Sequence, residues 1–122
     1  MIITKIGIVT KRVIEMLKLN IEINTPIFIS ESNYKHMLEK HQKDFVRFAA
    51  HLDEILAKPD FVGLNPLDKS LEYIKEFKVG NEYVKVAVRM SGGGKCFVRS
   101  MYSIPDYRVE TFLKIGRFKK LD

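Results

Sequence analysis

Cysteine is nearly absent from this chain, Cys96 being the one copy in 122 residues. That excludes an internal disulfide, no Cys/His spacing resembles a zinc site, and the compartment expected is a reducing cytoplasm. Long apolar runs are lacking too, so no membrane-spanning helix is expected. Met1-Ile2-Ile3-Thr4-Lys5 has no basic segment leading into an apolar one, and no secretory signal is expected there. Internal repeats, low-complexity segments and a Ser/His/Asp elbow are missing as well. Gly92-Gly93-Gly94 with Lys95 lacks the spacing to a Lys-Ser/Thr pair and joins two strands instead of opening a helix, so it reads as a hairpin tip. Cys96, in a strand without a local activator, is a weak nucleophile candidate.

What is present describes an ordinary globular protein: 46% hydrophobic and 30% charged residues, in a length that suits one domain, 1–122, around one core. The net charge of +6 leans towards a polyanionic partner, because Lys and Arg that neutralise phosphates release condensed counterions. Charge alone does not separate such a protein from other basic proteins of its size.

In chain order, Ile2 to Val9 is rich in β-branched residues and reads as a strand or extended arm. Thr10 is placed to cap a short helix over Lys11 to Leu19, with Val13, Ile14, Leu17 and Leu19 inward. Asn24-Thr25-Pro26 breaks it, and Ile27-Phe28-Ile29 is a brief extended run. Ser30 or Ser32 then suits the N-cap of a helical region reaching Asp60. As one helix, that region has its apolar seam at Tyr34, Leu38, Phe45, Phe48, Leu52 and Ile55, and His41 occupies the missing step. As two helices, the joint falls at Gln42-Lys43-Asp44 with Asp44 as the second cap, and both readings stand on sequence. Lys58-Pro59-Asp60 ends the helical region.

From Phe61 the pattern turns to β. Phe61 to Leu64 and Leu71 to Val79 are short strands, and in Glu82 to Met90 the even-numbered Val84, Val86, Val88 and Met90 oppose Tyr83, Lys85, Ala87 and Arg89. Lys95 to Ser103 completes an antiparallel hairpin. Pro105 closes that strand, Asp106 suits the cap of a last helix, and Gly116 to Lys120 reads as a basic tail. The fold class expected is α+β, with N-terminal helices packed on an antiparallel meander of about four strands.

Among candidate chemical groups the histidines stand first. His36 and His41 are five apart, so on a continuous helix they do not share a face, which argues against a paired metal site. His41 reads either as a satisfied core histidine or as a general acid or base, imidazole being able to give and take a proton near neutrality. On the last hairpin strand a strict period of two puts Cys96, Val98, Ser100 and Tyr102 on one face and Lys95, Phe97, Arg99 and Met101 on the other. Ser100 and Tyr102 then project side by side, either as ordinary sheet residues or as a hydroxyl pair that grips a phosphate. Lys85, Arg89, Lys95 and Arg99 surround them, as a wet face or as cations for a developing negative charge.

Taken together, Ile6-Gly7, Phe28-Ile29-Ser30, His36 with Lys40-His41, Ile55-Leu56 with Pro59-Asp60, the β-meander and Arg99-Ser100-Met101-Tyr102 resemble the phage-borne nuclease domains of the barnase, EndoU, colicin D and RelE-like superfamily. The resemblance runs from about Ile6 to Leu121. It implies helices followed by a four-stranded antiparallel sheet, and a metal-independent, cofactor-free ribonuclease of toxin type acting on tRNA or mRNA. It implies further that His41 moves the proton with Lys40 and Lys43 beside it, as on the helix of colicin D-type toxins. Ser100 and Tyr102 match the serine-any-aromatic strand motif of those toxins, with tyrosine where they carry tryptophan. His36 fits the phage-type pattern without an assigned role, and Arg89 and Arg99 join Lys40 and Lys43 as phosphate- or RNA-binding candidates. With no clear equivalent of barnase's glutamate base, acid and base duties fall on histidine. RNA is the partner implied, with room for a cognate antitoxin or immunity protein, no membrane, and an oligomeric state that the residues do not specify. Rival expectations are an inactive RNA-binding relative and a phage accessory or structural protein.

Overall fold

A computed structural model of the chain describes residues 2–78, 80–91 and 93–121. Its first element is β1 (Ile3–Val9), after which Thr10 accepts a hydrogen bond from the Val13 backbone N–H (3.3 Å) and starts α1 (Lys11–Leu17). Lys18, in the left-handed conformation, ends that helix. β2 (Thr25–Ser30) returns antiparallel to β1. Its last residue, Ser30, caps α2 (Glu31–Lys40) by accepting from the Asn33 N–H at 3.2 Å.

The helical region is broken. α2 stops at His41, whose backbone (φ −135°, ψ 49°) is not helical, and α3 (Gln42–Phe48) begins directly after it. A 3-10 turn over Ala49–His51 leads into α4 (Leu52–Ala57). The joint is thus His41 itself rather than Gln42-Lys43-Asp44, and Asp44 makes no cap bond. The break also rephases the seam: Met37, Phe45, Phe48, Leu52, Ile55 and Leu56 are buried, while Tyr34 and Leu38 are exposed.

The remaining strands are β3 (Phe61–Leu64), β4 (Leu71–Phe77), β5 (Glu82–Met90) and β6 (Cys96–Ile104), then α5 (Asp106–Lys114) with Pro105 at its cap, and β7 (Phe118–Lys120). Val79 and Gly92, expected in a strand and a hairpin tip, lie outside the described residues. Among the described residues the strands form one seven-stranded sheet in the order β1-β2-β6-β5-β4-β3-β7, antiparallel except where β2 meets β6 at Ile27–Cys96 and Phe28–Phe97. The expected four-strand meander with helices before it is therefore corrected at both edges. At one, the β1–β2 hairpin joins the sheet because Val9 and Ile27 are apolar enough to be fully buried in its core. At the other, the expected basic tail is a strand: β7 pairs with β3, and Phe118 is buried. Gly63 permits that pairing, since a Cβ there would lie 2.5 Å from the Arg117 carbonyl oxygen.

The main core gathers α1 to α4 with Val84, Val86, Val88, Val98 and Met101 on one sheet face. α5 covers part of the other face through Val109, against Ile74, Ile104 and Phe118. A β-bulge decides what the rest of that second face presents. Ala87 pairs with Ser100 but Val88 with Val98, leaving Arg99 as the extra residue. The bulge reverses the side-chain phase of β6, so Met101 enters the main core, and Ser100 and Tyr102 share their face with Phe97 instead of Cys96 and Val98. A strict period of two is corrected here by one residue.

Candidate active site

The part of the second face that α5 leaves open is the floor of a cleft of roughly 850 Å³. Cross-strand pairing builds it: Lys85 opposite Tyr102, Ala87 opposite Ser100 and Arg89 opposite Phe97. One wall is α2, through Asn33 and His36, and the other is the β3–β4 turn. Two Asx contacts hold that turn, Leu67 N–H to Asn65 Oδ1 (2.8 Å) and Ser70 N–H to Asp68 Oδ1 (2.9 Å). The Ser70 backbone N–H also holds the Asp68 carboxyl below its usual range, with the charge of Arg99 a smaller contribution.

Of the residues singled out from sequence, His36, Arg89, Arg99, Ser100 and Tyr102 come together as lining of this cleft. His41 does not line it. It sits at the rim, exposed, in a shallow depression with Lys40 and Lys43, and reaches the site through one contact, its ring stacked on that of Tyr102 (centroids 4.9 Å apart, planes at 26°). A hydrogen-bonded anchor explains this placement. Asp44, three residues into the following helix, accepts from the Ser103 N–H (3.0 Å) and its hydroxyl (3.2 Å), docking the start of α3 beside the strand that carries Tyr102. Of the two readings of His41, the buried core histidine is excluded. His51 lies elsewhere, 3.4 Å from Glu54 and edge-on to Phe77.

The sequence reading missed a carboxylate. Glu72 on β4 is 1% exposed and lines the cleft, gripped by Arg117 through Nε (2.9 Å) and Nη2 (2.8 Å) and by Lys85 through Nζ (3.1 Å). Its hydrogen bond to Glu72 raises the Arg117 guanidinium above its usual value, so that cation stays charged. Both Glu72 oxygens are committed, and the carboxylate holds Lys85 in the floor, where its ammonium lies 5.1 Å from the centre of the Tyr102 ring. The signal was the period of two that puts Glu72 on the face of Ile74, in a strand with neighbours on both sides. Arg117 was hidden because it precedes a strand read as a tail.

The cleft offers one imidazole, His36, two hydroxyls and the cations Lys85, Arg89 and Arg99 around one solvent-filled space, with His41 at its rim, groups suited to moving protons and to neutralising a charged phosphorus centre. Among the described residues no group of three or more His, Cys, Asp or Glu is disposed to hold a metal ion, and no helix is long and apolar enough to cross a membrane. The family described as phage-Barnase-EndoU-ColicinE5/D-RelE like nuclease 3 matches residues 4–111. No curated protein and no solved structure matches the chain.

Proposed function

The chain belongs to this family of phage-Barnase-EndoU-ColicinE5/D-RelE like nucleases, and on that premise we propose that it is an RNA endonuclease that works without a metal. In the reaction a base takes the ribose 2′-hydroxyl proton, the freed oxygen bonds to the adjacent phosphorus, the bond from phosphorus to the 5′-oxygen breaks, and an acid protonates that oxygen. The products are a 2′,3′-cyclic phosphate and a 5′-hydroxyl. His41 and His36 share the two proton transfers, Ser100 and Tyr102 hold the scissile phosphate, and Arg89, Arg99 and Lys85 stabilise the charge that develops on it. Lys40 and Lys43 on the rim draw in the polyanion.

The observation that carries this reading is the convergence of His36, Ser100, Tyr102, Arg89 and Arg99 in one cleft, with His41 stacked on its Tyr102. The test is cleavage of single-stranded RNA in EDTA. His41→Ala and His36→Ala should each lower the rate about 10²- to 10⁴-fold while the circular dichroism spectrum is kept. Wild-type rates in both variants would remove histidine from the mechanism. A second reading, an RNA-binding relative without chemistry, is favoured by the placement of His41 outside the cleft lining. Salt-dependent RNA binding with no product at any enzyme concentration would establish it.

A further inference from the structure

The bulge at Arg99 brings Phe97 to the open face beside Tyr102. Phe97 lines the cleft at the end away from His41, half-buried, with the Phe28 ring of the neighbouring strand β2 beside it at 5.9 Å. The Lys95 ammonium stands 5.7 Å from the centre of the Phe28 ring, and Arg89 pairs with Phe97 across the strands. An aromatic ring held at the floor of a basic groove is the pattern by which proteins take up unpaired bases, since every base has a π-face and every linkage a negative charge. Phe97 takes no part in the main core, which lies on the opposite face and draws Cys96, Val98 and Met101 from β6.

We propose that Phe97, beside Phe28 with its Lys95 and across from Arg89, is a base-stacking subsite, and that the protein therefore takes single-stranded RNA. The proposal rests on the nuclease reading above and adds to it the form of substrate. Phe97 and Tyr102 lie roughly 13 Å apart along β6, at about 3.3 Å per residue with one residue consumed by the bulge. Stacked bases of a duplex strand repeat about every 3.4 Å and shield one another's faces, so no base inside a duplex meets the Phe97 ring. An unpaired base does, stacked on Phe97, with the chain running on past Arg89, Arg99 and Ser100 to bring a phosphate to Tyr102, whose ring is already stacked on His41 and faced by the Lys85 ammonium. The two carboxylates in the cleft do not oppose this path, because Glu72 is neutralised by Lys85 and Arg117 and Asp68 lies near Arg99.

The experiment measures fluorescence anisotropy of a labelled 12-nucleotide RNA carrying 2′-O-methyl groups throughout, which cannot cleave itself by 2′-attack, so binding is read independently of nuclease activity. The wild-type chain should bind the single strand at least tenfold more tightly than the same strand annealed to its complement. Phe97→Ala and Phe97→Leu should both lose about 5- to 100-fold on the single strand and little on the duplex, and Phe97→Trp should restore it. The leucine variant keeps apolar bulk, so the proposal stays testable where the alanine variant fails to fold. Equal affinity for single strand and duplex, or wild-type affinity in Phe97→Leu, overturns the subsite. Should RNA be cleaved while Phe97 proves indifferent, the subsite fails and the nuclease reading stands; Phe97-dependent binding without cleavage of ordinary RNA is the reverse. Absence of binding to either form overturns the subsite and points to a protein partner for this face.

Discussion

Replacing Glu72 by Gln is expected to be among the most damaging single changes in the chain. The Glu72 side chain is 1% exposed, and its partners Lys85 and Arg117 are 10% and 18% exposed. An amide of the same shape leaves an ammonium and a guanidinium beside a neutral oxygen, and cations so enclosed recover little of their hydration. Breaking a buried ion pair by removing one partner costs about 3–5 kcal/mol. Set against the roughly 5–15 kcal/mol that holds a domain folded, the loss removes at least about a fifth of it and, for a domain at the low end, nearly all. In urea the midpoint should fall with the slope unchanged, and the melting temperature should drop by roughly 10–20 °C. Glu72→Leu combined with Lys85→Met and Arg117→Leu should recover most of that stability, because an apolar replacement of the whole cluster leaves no orphaned charge. A Glu72→Gln protein within about 1 kcal/mol of wild type, or a triple variant as unstable as the single one, would refute this reasoning.

Other consequences are open to simple measurements. Gly63→Ala should cost about 1–3 kcal/mol, since the new Cβ meets the Arg117 carbonyl and the Phe118 ring, which lies 2.8 Å away. Gly116→Ala, with φ +83° and nothing within 4 Å, should cost only about 1 kcal/mol of left-handed strain, and thermal melts that reverse this order would contradict the account of β7. Tyr73→Phe should stabilise by about 1 kcal/mol, because the Tyr73 hydroxyl is buried with no hydrogen-bond partner among the described residues; a lower denaturation midpoint would show that a partner was lost. Cys96 is 1% exposed and burial pushes its thiol above the usual value, so it should stay protonated at pH 8 and react with a disulfide reagent only as fast as the protein unfolds; immediate reaction in native buffer would place it at the surface.

Much of this fold can be read from short-range chemistry. Thr10 and Ser30 cap the helices they precede, the alternation of Val84, Val86 and Val88 fills the main core, and the hairpin of β5 with β6 follows from two alternating runs around glycines. What escaped depends on partners distant in sequence. β7 is three residues long and exists because Gly63 lets it approach, and β2 meets β6 across some seventy residues of chain. The site divides the same way. Ser100 and Tyr102 do share a face, but the bulge at Arg99 puts Phe97 with them and sends Cys96 and Val98 to the other side. His41 interrupts an apolar stripe because the helix itself stops there, so the irregularity in the pattern was genuine and its cause was backbone geometry. His36, unassigned by pattern, stands in the cleft wall since α2 turns that face towards β6. Glu72 looked like one charge in an irregular strand until its two cations, thirteen and forty-five residues away, were in place.

The most direct test of the mechanism uses RNA strands that each carry one 2′-deoxy nucleotide, incubated with the protein in EDTA and resolved by length and end group. Each strand should be spared at the linkage that follows its modified sugar, and the fragments formed elsewhere should carry 2′,3′-cyclic phosphate and 5′-hydroxyl ends. Scission at the modified linkage, or fragments with 5′-phosphate ends, would contradict attack by the ribose hydroxyl and with it the roles given to His36 and His41.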